Sequence, residues 1–97
     1  MDQVEFKLDD QNEGMFYIND EREQIARLEI KIIGKGLLAI HTEVNPGQEG
    51  KGLAKKMFLE MVDYARKNHL TVKAYCPYVQ AQFKKNPEEY SDVLAKD

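Results

Sequence analysis

The chain has 97 residues, 42% hydrophobic and 32% charged, enough for one domain (residues 1–97) and too few for two. No apolar run approaches the roughly 18 residues of a membrane helix. A net charge of −3 lacks the basic footprint of a nucleic-acid binder. Cys76 is the only cysteine, which excludes an internal disulfide. With an acidic first stretch that has no apolar leader core, a reducing cytoplasm is the expected compartment.

Charge is uneven along the chain. Residues 1–50 hold 5 Lys and Arg against 11 Asp and Glu, while residues 51–97 hold 9 against 6. A small anionic ligand is therefore expected on the second half.

In chain order, VEFKL (residues 4–8) alternates apolar and polar positions and predicts a half-buried strand. MFYIND (15–20) predicts a second strand. IARLEIKII (25–33) predicts a third, with Ala26, Leu28, Ile30 and Ile32 on one face. Gly34-Lys35-Gly36 closes a hairpin into LLAIHTEV (37–44), a fourth strand. The period then changes. Leu53, Ala54, Met57, Phe58, Met61, Val62 and Ala65 fall at the spacing of an amphipathic helix over residues 53–68. Asn68 suits a left-handed cap there, and His69 reads as a cap or surface residue. TVKAY (71–75) predicts a fifth strand. Pro77 opens a second helix to about Lys85, which Asn86-Pro87 stops. The polar end, from Glu88, is expected to pack loosely. The fold class is α+β: an antiparallel four-stranded meander, a glycine-started helix, a parallel fifth strand and a C-terminal helix. Ligands of such βαβ units sit beyond the carboxyl ends of the strands, here near Val44 and near Tyr75-Cys76.

EGKGLAKK (49–56) is a glycine turn running into a lysine-rich helix. It is not a P-loop, because Leu53 rather than Lys follows Gly52. It is not a dinucleotide fingerprint, because Lys55 stands where Gly or Ala is needed. A glycine turn exposes backbone N–H groups at a helix start, and the helix dipole favours an anion there. Spacing alone fits equally an anion site and a plain loop with its lysines in solvent.

The wider run over about residues 38–90 resembles the small, single-domain relatives of the Gcn5-related N-acetyltransferases, and the first three strands agree in order and length. Their pyrophosphate motif, Q/R-x-x-G-x-G/A, maps onto Glu49, Gly50, Lys51, Gly52, Leu53 and Ala54. Gly52 and Ala54 match. Glu49 departs from the pattern, and a carboxylate beside a pyrophosphate repels it. His41, Thr42 and Val44, then Cys76-Pro77-Tyr78-Val79 and Asn86-Pro87, complete the resemblance. It implies acetyl-CoA as co-substrate and acetyl transfer to an unidentified amine on a protein, peptide or small molecule. It also implies a pantetheine arm between splayed strands four and five. The alternative is a CoA-binding or interaction module without transferase activity.

The resemblance puts backbone N–H groups of residues 50–54 on the pyrophosphate, and one near Val44 on the thioester carbonyl. Tyr78 is a candidate wall of the pantetheine or adenine site, and Lys85 a candidate contact for the CoA 3′-phosphate. Cys76, the expected cap of the second helix, has its thiolate stabilised by that position. The resemblance places it near the acetyl group, as covalent relay or pocket wall. His41 and Glu43 share one face of strand four by the period of two, and either can take a proton from an amine. His41 and His69, 28 positions apart, and one cysteine form no metal-ligand spacing.

Overall fold

The computed structural model describes residues 3–95. Its elements are β1 (Val4–Leu8), β2 (Glu13–Asn19), β3 (Gln24–Ile33), β4 (Gly36–Val44), α1 (Leu53–Lys67), β5 (Thr71–Ala74) and α2 (Pro77–Lys85). The five strands form one sheet in sequence order. Strands β1 to β4 pair antiparallel and β5 joins β4 in parallel. The α+β architecture expected from periodicity is the one present.

The helices lie on one face of the sheet. The apolar stripe of α1, from Leu53 and Met57 to Ala65, is buried. It meets inward-facing Phe16, Ile18, Leu28, Leu37 and Ala39 in a single cluster. Helix α2 adds Val79 and Phe83 to the same cluster. Glu5, Lys7, Tyr17, Arg27, Glu29 and Lys31, neighbours of these inward residues along the strands, point to the opposite, helix-free face.

Two local expectations are corrected. The left-handed residue after α1 is His69 (φ 56°). Asn68 keeps a negative φ and its Nδ2 donates to the Tyr64 carbonyl at 2.9 Å. The segment after α2 is also not loose. Tyr90 and Val93 are 2% and 1% exposed. Phe58, Phe83 and Tyr90 pack edge-on with centroids 5.2 to 5.6 Å apart. Val72 N–H donates to the Val93 carbonyl, and Ala95 N–H to the Val72 carbonyl. This bridge covers the edge of β5, an edge that would otherwise expose unpaired backbone. Lys96 and Asp97, also part of the stretch expected to be loose, lie outside the described residues.

Candidate functional site

Strand β4 is longer than β5, and this difference shapes the site. Their pairing runs from Gly36↔Thr71 to Ala39↔Ala74 and stops. The amides of Tyr75 and Cys76 both donate to the Ala39 carbonyl, at 2.9 and 3.1 Å, closing the parallel ladder. Beyond it, residues 40–44 of β4 have no partner on β5, and the two chains diverge into a wedge.

The start of α1 lies by this wedge. Gly50 and Gly52 have φ of 81° and 76°, backbone that L side chains rarely adopt. Gly52 caps the helix with no side-chain hydrogen bond. The first intrahelical bond runs from Lys56 N–H to the Gly52 carbonyl. The amides of Leu53, Ala54 and Lys55 therefore precede the ladder, as the first amides of any helix do. A groove of about 300 Å³ opens there. It is lined by Val44 and Tyr78 together with Gln48, Glu49, Gly50, Gly52, Leu53, Ala54 and Lys55. Burial, and then neighbouring Cys76, push the Tyr78 phenol above its ordinary value, so that wall stays neutral near pH 7.

Two residues expected in this group stand apart from it. Lys51 is outside the groove lining, and its Nζ donates to Gln48 Oε1 at 2.8 Å. Lys85 also lies outside the lining, in the last turn of α2. That turn is roughly 12 Å along the helix from its first residue, at 1.5 Å per residue. The cation that does line the groove is Lys55, whose Nζ donates to Gln82 Oε1 at 3.1 Å. Gln82 is only 6% exposed, so this bond satisfies a buried amide and fixes Lys55 between the helices. The carboxylate of Glu49 accepts the Gly47 N–H at 2.9 Å. It is thus occupied within the loop, yet still lines the groove.

Cys76 is the cap residue of α2, with Pro77 following at the first turn. The residue is 2% exposed and outside the groove lining, and its Sγ lies 3.0 Å from Thr42 Oγ1. Thr42 had no role from sequence beyond its place beside His41, and no periodicity would have singled it out.

His41 and Glu43 are together, with Nε2 and Oε1 3.2 Å apart, but they turn away from Cys76. The cause is a β-bulge. His41 pairs with Glu29 and Ala39 with Ile30, leaving Ile40 as the extra residue. The bulge inverts the alternation of β4: Leu37 and Ala39 point into the core, then Thr42 and Val44 do. His41 and Glu43 go to the helix-free face. There Arg27 binds Glu43 at 2.9 Å and Glu29 at 2.6 Å. The hydrogen bond that Arg27 donates to Glu29, ahead of the charge of Glu43, holds the guanidinium above its ordinary value. Among the described residues no group of His, Cys, Asp and Glu has the arrangement to hold a metal, and no helix is long and apolar enough to cross a membrane.

The fold, a five-stranded mixed sheet with two helices, is shared with solved proteins described as N-acetyltransferases. A GCN5-like protein from Staphylococcus aureus, solved by NMR, is 28% identical with a TM-score of 0.70; the match covers all of this chain and 93% of that one. The ribosomal-protein-S18-alanine N-acetyltransferase from Escherichia coli has 11% identity and a TM-score of 0.66, over 79% of this chain and 53% of that one. The PaiA N-acetyltransferase from Thermoplasma acidophilum, in complex with coenzyme A, has 16% identity and a TM-score of 0.63, over 77% and 50%. The last two share the fold alone, and the match spans about half of each. No curated protein sequence gives a significant match. The sequence model of the GCN5-related N-acetyl-transferase family matches residues 15–93, and the chain belongs to that family.

Proposed function

We propose that this chain, acting as one domain in a reducing cytoplasm, binds acetyl-CoA and transfers its acetyl group to an amine. One observation carries the reading. In a member of this family, an uncapped helix start with two left-handed glycines opens onto a groove beside the unpaired end of β4. The amides of residues 50–54 would bind the pyrophosphate, favoured by the helix dipole, and Lys55 adds a positive charge. The free end of β4, up to Val44, would lie along the pantetheine arm.

Transfer proceeds by direct attack. The amine nitrogen bonds to the acetyl carbon and the C–S bond breaks. The proton lost by the amine passes to His41, held by Glu43, and the departing CoA thiolate takes up a proton. Cys76 does not fit a relay, because it is buried, engaged with Thr42 and outside the groove lining.

The test is release of free CoA from acetyl-CoA in the presence of a primary amine. Intact-mass analysis is run alongside. The reading expects amine-dependent release, no accumulating acetyl-protein, and a larger loss in His41→Ala than in Cys76→Ala. An acetyl-Cys76 adduct that passes its acetyl group to the amine at the turnover rate would replace direct attack with a relay. One observation favours a second reading, a CoA-binding module without turnover: the Glu49 carboxylate stands in the groove where the family has Gln or Arg. Binding without amine-dependent release would support it.

A further inference from the structure

The helix-free face of the sheet carries a larger groove, of about 510 Å³. We propose that this groove is the acceptor site, and that it takes a small primary amine with an apolar body. The inference rests on the acetyl-transfer reading above.

The groove reaches from Ile40 and Glu29 across to Met15 and Leu8. It therefore crosses β4, β3, β2 and β1, three strand spacings or roughly 14 Å. One end abuts the proposed base. Ile40 is the bulge residue that immediately precedes His41, and Glu29 is the cross-strand partner of His41. The same bulge marks where β4 leaves β5. An amine nitrogen at this end would thus meet both the wedge and His41.

Charge and polarity agree with such a ligand. At the His41 end, Arg27 faces Glu29 and Glu43. One guanidinium against two carboxylates leaves one net negative charge, which suits an ammonium. Apolar surface comes from Ile40 at that end and from Met15 away from it. Ile40 is among the few large apolar side chains left exposed, at 43%. The other charged residues of the lining have partners of their own: Lys31 and Glu13 pair at 3.5 Å, Lys7 lies over the Tyr17 ring, and Asp9 accepts the N–H groups of Gln11 and Glu13. An aliphatic or aryl-alkyl chain fills such a surface with favourable burial, and the volume suits a small molecule.

The test uses the full chain, without and with saturating CoA, titrated with 4-phenylbutylamine and followed by NMR. Shifts are expected at Met15, Glu29, Ile40 and His41, and not at residues 50–55. In transfer assays, 4-phenylbutylamine should outperform ethanolamine in kcat/KM by at least tenfold. Met15→Glu and Ile40→Asp should each cut that preference fivefold or more, with melting temperature confirming the fold. Shifts confined elsewhere, or a preference for ethanolamine, would overturn the proposal. So would sedimentation showing a dimer that buries this face. If a variant fails to fold, the titration of the unsubstituted chain still decides. Loss of acetyl-CoA binding would sink the transferase reading and the acceptor role with it, whereas the titration without CoA reads amine binding in this groove by itself.

Discussion

Replacing Gly52 separates the two properties the glycine turn combines. Its φ is 76°, and a Cβ built there meets nothing within 4 Å. In the free protein, Gly52→Ala therefore costs backbone strain and no steric clash. A left-handed L-residue costs roughly 1–2 kcal/mol, partly offset by the lower entropy of the unfolded chain. A net loss of about 1 kcal/mol lowers the melting temperature of a domain this size by about 4–8 °C. Gly52→Asn should lose less, since Asn tolerates positive φ far better than Ala. Ligand binding should rank differently. Both side chains project into space that a pyrophosphate would need, so both variants should bind acetyl-CoA at least tenfold more weakly, about 1.4 kcal/mol. Thermal unfolding and calorimetric titration read the two effects independently. Parent-like affinity in Gly52→Asn would refute the claim that phosphates approach this backbone.

Four more outcomes follow from the same geometry. Glu49→Gln keeps an acceptor for the Gly47 N–H while removing a negative charge from the groove, so acetyl-CoA should bind roughly 3- to 10-fold tighter at low salt, the gain shrinking with ionic strength in calorimetry. Gln82→Leu should free Lys55 and weaken CoA binding, with a smaller effect on a pantetheine fragment that carries no phosphate. Tyr90→Ala, in the core triangle with Phe58 and Phe83, should cost about 3–5 kcal/mol in chemical denaturation, whereas a frayed C-terminal stretch would show no loss. Asp92 is held below its ordinary carboxylate value, chiefly by its hydrogen bond from Arg66; a carboxylate depressed on folding stabilises above its unfolded pKa and loses that contribution as pH falls through the folded one, so Asp92→Asn should flatten the drop in melting temperature below about pH 4.

How much of this was legible from the residues varied with the range of the interaction responsible. The alternation of Ala26, Leu28 and Ile30, and the helical spacing from Leu53 to Ala65, are imposed by one core face each, so strands and helix were readable. The glycine motif was readable because positive φ demands glycine locally, and Val44, Tyr78 and residues 49, 50 and 52–54 do surround one groove. The bulge at Ile40 was not readable. Nothing in LLAIHTEV announces an extra residue, yet one inserted position sends His41 and Glu43 to the helix-free face and Thr42 to Cys76. Lys51, Lys55 and Lys85 looked alike as charges in sequence. Only the packing of α1 against α2, through Gln82, distinguishes Lys55. The final segment looked polar because Tyr90 and Val93 are isolated in sequence, and their burial depends on Phe58, about thirty residues earlier.

The central claim is that this fold binds acetyl-CoA at the start of α1, and amide NMR during an acetyl-CoA titration tests it most directly. The account predicts saturable shifts at Gly50, Gly52, Leu53, Ala54 and Lys55, with a second group along β4 up to Val44. A melting-temperature rise should accompany them, since a ligand at about 100 times its dissociation constant adds roughly 2.7 kcal/mol. Unmoved amides at millimolar acetyl-CoA, or shifts that leave residues 50–55 untouched, would contradict it.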